Sequence, residues 1–143
     1  MRNATCCLLV MLFGSCLSSL GQNAPKFTTP QIVATFQRLN QTKEIKPFTI
    51  YTPNTWGTFR ISVVMVLTTR NGNNSQWDGL IQFHDAAGKD SPEAVLYTQF
   101  LNTAQVEFPF RQKAGAPIKF SVAASGDPSG SKYNVWVVVE QLM

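Results

Sequence analysis

Apolar and polar residues alternate with a period of two along most of this chain, and residues 56–69 carry that pattern at its strongest. Phe59, Ile61, Val63, Met65 and Leu67 share one side of an extended strand, while Val64 and Val66 make the other side apolar near its middle. A helix is disfavoured because Ile61, Val63, Val64 and Val66 would each lose χ1 freedom against the preceding turn. A strand apolar on both sides belongs inside a sheet, with cover above and below. Gly57 before the run and Asn71-Gly72-Asn73-Asn74 after it supply turn chemistry.

The same reading predicts strands on either side. Residues 31–38 set Ile32, Ala34, Phe36 and Arg38 against Val33, Thr35 and Gln37, and Asn40-Gln41-Thr42 turns the chain. Residues 45–52 contain Pro47, which cannot donate to a ladder and so places this strand at an edge or Pro47 at a strand start. Residues 77–85 alternate Trp77, Gly79, Ile81 and Phe83 against Asp78, Leu80, Gln82 and His84. In residues 93–101, Ala94, Leu96 and Tyr97 would fit a helical turn, but Val95, Tyr97, Phe100 and the lack of caps favour a strand. Residues 105–112 turn Val106, Phe108 and Phe110 inward, and Ile118, Phe120 and Val122 mark the next strand. Residues 132–142 close the chain with a second run that is apolar on both faces. Short strands between Gly, Pro and Asn turns, with no amphipathic helix, predict an all-β fold. The expected architecture is an antiparallel β-sandwich of seven to eight strands, of Greek-key or jelly-roll type. The two doubly apolar strands should lie beside one another, and the first and last strands should approach.

The first residues follow another pattern. Arg2, the apolar stretch from Cys6 to Phe13 and the small residues around Ser19-Leu20-Gly21 read as a secretory signal peptide over residues 1–21. A polar arm over 22–30, with Pro25 and Pro30, then leads into a sandwich domain over 31–143. A secreted or periplasmic location is expected. The rival reading takes Phe13-Gly14-Ser15-Cys16 as a lipoprotein signal with Cys16 acylated. No apolar run reaches the roughly 20 residues of a membrane-spanning helix. Cys6, Cys7 and Cys16 all fall in the leader, so the remaining 122 residues must be held by burial rather than disulfides. Without Arg2, eleven basic side chains face eight acidic ones, dispersed singly and not in the stripe a nucleic-acid partner would require.

The order of several motifs resembles a small, uncharacterised jelly-roll-like β-sandwich domain of bacterial secreted and phage-associated proteins. The matching pieces are Asn40-Gln41-Thr42, Ile50-Tyr51-Thr52-Pro53, Gly57-Thr58-Phe59-Arg60-Ile61-Ser62, Thr68-Thr69, Gly115-Ala116-Pro117-Ile118, and Tyr133-Asn134-Val135-Trp136-Val137 with Glu140. Where that domain shows Trp-Thr-Asp in its fourth strand, this chain has Phe83-His84-Asp85. The resemblance implies a fold and no activity.

Little in the chain carries catalysis. His84 beside Asp85 invites a general-base reading, but neighbours on a strand point to opposite faces, and the sequence holds no second histidine. A three-histidine metal site is excluded by that count, and no cofactor is implied. Asp85, Asp90 and Glu93 around Gly88 make an oxygen-rich loop whose spacing departs from established calcium loops. Trp56, Trp77 and Trp136, with Tyr51, Tyr97 and Tyr133, could stack on sugar rings, although aromatics at inward positions are core first; Trp136 is the best candidate for exposure. Trp136 and Val138, with Val64 and Val66, occupy the faces opposite their core-facing neighbours and form one candidate ligand or interface patch if the two strands pair. The expectation is an exported, non-enzymatic structural or interaction module that self-associates, with a trimer of tumour-necrosis-factor-like shape as the model oligomer. The alternative is a carbohydrate- or small-ligand-binding sandwich. The corresponding partners are a second copy, another surface protein or a glycan.

Overall fold

The computed structural model describes residues 29–70, 76–84, 94–97 and 102–143. Its eight strands are β1 (Gln31–Gln41), β2 (Ile45–Tyr51), β3 (Gly57–Thr69), β4 (Gln76–Gln82), β5 (Ala94–Tyr97), β6 (Thr103–Gln112), β7 (Ile118–Ser125) and β8 (Lys132–Gln141). Every pairing is antiparallel. One sheet, here sheet A, has the order β1-β8-β3-β6, and the other, sheet B, has β2-β7-β4-β5. The chain changes sheet at every connection except β4 to β5, which is a jelly-roll path.

Sheet A is built around the two doubly apolar strands. β3 and β8 run side by side in its interior, and β1 pairs with β8, so the first and last strands meet as expected. Phe59, Ile61, Val63 and Met65 of β3, with Tyr133, Val135, Val137 and Val139 of β8, are almost wholly inaccessible. They close on Trp77 and Ile81 of β4 and on Ile118, Phe120 and Val122 of β7. Burying side chains of this size stabilises by about 1.5–3 kcal/mol each. The polar tips of the two largest are satisfied: Trp77 Nε1 donates to Ser131 Oγ at 2.9 Å and Tyr133 Oη donates to the Lys43 carbonyl at 2.9 Å. At the other end of the core, Phe83 lies 4.4 Å from Phe110 and 5.8 Å from Phe108 between ring centroids.

Proline marks the edges. Among the described residues, Pro47 sits on β2, which pairs with β7 alone, and Pro109 sits on β6, which pairs with β3 alone. Neither strand needs a continuous row of donors on its free side.

Two boundaries differ from the sequence reading. β1 continues to Gln41, and Asn40 (φ 54°) lies within an irregularity between Arg38 and Gln41 instead of opening a turn. The reason is local: asparagine tolerates the left-handed region, and the Asn134 side-chain oxygen accepts the Asn40 N–H at 2.7 Å, which holds the bulge in the sheet. β4 ends at Gln82, because the His84 N–H is taken by the Gln112 side-chain oxygen at 3.0 Å. Of the strand expected over 93–101, Ala94–Tyr97 is observed and the rest lies outside the described residues.

Candidate functional site

With β8 held between β1 and β3, and β3 between β8 and β6, the side chains that leave the core form rows across the outer face of sheet A. One row is Gln37, Trp136, Val64 and Gln105, each opposite the next. The adjoining row is Thr35, Val138, Ser62 and Glu107. On the other side of the Trp136 row, Val66 faces Asn134 on β8 and Thr103 on β6. The structure therefore brings Trp136, Val138, Val64 and Val66 onto one face, with Trp136 directly opposite Val64. All four are half-buried.

The next row out from Val138 holds Glu140, Arg60 and Pro109. Arg60 Nε and Nη2 both reach one oxygen of Glu140 at 2.6 Å, and Nη1 reaches Glu107 at 3.3 Å. Glu107 also accepts the Ser62 hydroxyl at 3.1 Å. The hydrogen bond to Glu140 and that residue's charge hold the Arg60 guanidinium above its ordinary range, with Glu107 adding to the effect. This cluster was not singled out from the sequence. Parity alone sends Arg60 and Glu140 outward, but their meeting depends on the pairing of strands distant in the chain.

The other sequence candidates are dispersed. Trp77 and Tyr133 are core, with ring centroids 4.6 Å apart. Tyr51 is half-buried against Phe59. Trp56, by contrast, is 53% exposed, with the Arg111 guanidinium 5.5 Å from its ring centroid. His84 borders an open pocket of about 270 Å³ with Lys113, Ala114, Gly115 and Ala116. Gln112, wholly buried, ties that loop together by donating to the Ala116 carbonyl at 2.8 Å. A second open pocket, about 450 Å³, lies among Lys43, Glu44, Lys46 and Pro128, where the Glu44 carboxylate accepts the Ala124 N–H at 3.1 Å. Asp85, Asp90 and Glu93 lie outside the described residues, among which no three His, Cys, Asp or Glu side chains gather. No helix among the described residues is long and apolar enough to cross a membrane.

Around Trp136 the outer face of sheet A thus combines a flat indole, an aliphatic floor and the amides and hydroxyls of Gln37, Gln105, Thr35 and Ser62, with the Arg60, Glu107 and Glu140 cluster to one side. Such a surface can stack on an apolar ring face while bonding the groups at the ring's edge. No protein-family model matches the sequence, and no curated protein matches it. Among solved structures, a family 16 carbohydrate-binding module aligns over 71% of this chain and 71% of its own, with TM-score 0.39 and 15% identity. A likeness of that degree carries no argument about this chain's ligand.

Proposed function

We propose that the protein is an exported, non-enzymatic binding module whose ligand, a glycan, lies across the outer face of sheet A on Trp136. The observation that carries this reading is the row in which Trp136 and Val64 are flanked by Gln37 on β1 and Gln105 on β6. A pyranose offers an apolar face of C–H bonds and a rim of hydroxyls that both donate and accept. The indole and valine suit the face, and carboxamides, which carry both donors and an acceptor, suit the rim. An open sheet face buries only part of such a ligand, so affinity should be modest, with Kd in the micromolar to millimolar range, about −4 to −8 kcal/mol.

Self-association through the same patch has less behind it. Four half-buried side chains make a patch within the few hundred Å² that a monomer commonly leaves in water.

Affinity electrophoresis against a panel of soluble polysaccharides tests the proposal. At least one polymer should retard the wild type, and Trp136→Ala should abolish that retardation while its thermal melt stays cooperative. A panel that retards nothing, or a Trp136→Ala variant that binds as well as wild type, would overturn the reading.

A further inference from the structure

We infer that Trp56 and Arg111 form a second aromatic subsite on the same face, so that the protein takes an extended polysaccharide chain and not a chain end or disaccharide; this rests on the glycan reading above. Arg111 lies opposite Thr58 on β3, in the row beyond Arg60 and Pro109 on the outer face of sheet A. Its guanidinium sits 5.5 Å from the centroid of the Trp56 ring, which is 53% exposed. An exposed indole beside the surface already described offers a second flat apolar face on which a sugar ring can stack. Two residues on, Thr58 N–H donates to the Met143 carbonyl at 3.0 Å and Leu142 N–H to the Thr58 carbonyl at 2.8 Å, so the start of β3 is tied to the end of the chain.

Between the two indoles runs a continuous polar track. From Val64, opposite Trp136, to Thr58 is six residues along β3, about 20 Å at ~3.3 Å per residue. Ser62, Glu107, Arg60 and Glu140 fill that interval. Of the guanidinium's five N–H groups, three are engaged with the two carboxylates, which leaves donors beside acceptors on the surface. Arg60 and Arg111 balance Glu107 and Glu140, so these four residues favour no charged sugar. A ligand that rests on both indoles must cross this track, which only a chain of several sugars can do.

The test uses oligosaccharides, from di- to hexasaccharide, cut from whichever panel polymer retards the wild type, with calorimetric titration of wild type, Trp56→Ala and Trp136→Ala. Wild-type affinity should rise with length. Trp56→Ala should bind the disaccharide as wild type does, lose about tenfold on the hexasaccharide and keep its melting temperature, whereas Trp136→Ala should lose both ligands. Hexasaccharide affinity unchanged by Trp56→Ala, or a wild type indifferent to length, would overturn the second subsite while leaving Trp136 in place. Failure of every polymer to bind would remove both readings.

Discussion

Tyr133 shows how one buried side chain couples the core to pH. Its ring is wholly inaccessible against Trp77, and its hydroxyl donates to the Lys43 carbonyl. Burial, and then the charge of Glu44, push the phenol well above its ordinary range. The folded state therefore keeps this proton at a pH where the unfolded chain releases it. The stability it contributes is complete below about pH 10 and is lost as pH rises beyond that value, on the order of 1 kcal/mol by pH ~11. Tyr133→Phe removes both effects. At neutral pH it should cost about 1 kcal/mol for the lost hydrogen bond and the carbonyl left without its donor. Between pH 9 and 11 its melting temperature should fall less than that of the wild type. Equal alkaline losses in the two proteins would show that Tyr133 does not hold its proton in this way. All other side chains are common to both proteins and cancel in the difference.

Among the elements, β3 is the one whose placement is most constrained. Gly57 opens it, buried, and a Cβ there would lie 2.7 Å from the Met143 carbonyl oxygen, closer than real contacts allow. Gly57→Ala should therefore lower stability by about 1–3 kcal/mol, a close-packing cost. Deleting Leu142 and Met143 removes the obstacle as well as three hydrogen bonds to Thr58 of β3, so the substitution should cost clearly less in the shortened chain than in the full one. A double-mutant cycle on thermal melts gives that difference, and additive losses would place the strain elsewhere. Much of this architecture was legible in the sequence for a physical reason. Val64, Val66, Trp136 and Val138 are apolar at positions that the alternation sends outward, and only interior strands tolerate that, so β3 and β8 could be recognised and paired. Pro47 likewise identified an edge. Asn40 misled because its left-handed backbone serves a bulge as readily as a turn. The Arg60 cluster was hidden because it joins residues 47 and 80 positions apart, and register between strands so distant is fixed by the whole sheet and by no local signal. Trp56 was among the stacking candidates, but Trp136 and not Trp56 was expected to be the exposed one, because Trp56 stands before its strand begins, where alternation assigns no face.

At the scale of the whole molecule the question is whether one copy is enough. A stable interface between copies buries about 1,200–2,000 Å² in total, so each partner must offer several hundred Å² of good complementarity. The apolar part of the outer face of sheet A is four half-buried side chains, Val64, Val66, Trp136 and Val138, framed by exposed Gln37, Gln105, Thr35 and Thr103. Three of the four sheet edges are no better suited to pairing. β2 and β6 carry Pro47 and Pro109, and the ladder of β1 with β8 is irregular between Ile32 and Ala34 and between Arg38 and Gln41, which bends that edge strand. The exposed apolar residues of β1, Ile32 at 63% and Leu39 at 47%, sit at those irregularities, where a second strand could not continue the ladder. A glycan-binding face also works best uncovered, since a partner copy seated on Trp136 would compete with the ligand. Sedimentation equilibrium of the chain from residue 22 onward should therefore give the monomer mass at micromolar concentration, and Trp136→Lys should leave it unchanged. A dimer or trimer that dissociates on Trp136→Lys would reverse the assignment and make the face a contact between copies, with the glutamines as its polar rim. A monomer in which that substitution removes glycan retention but leaves the melting temperature within a few degrees would fix the role of the face as recognition, because a half-buried indole over a closed valine core can be replaced without opening the core beneath it.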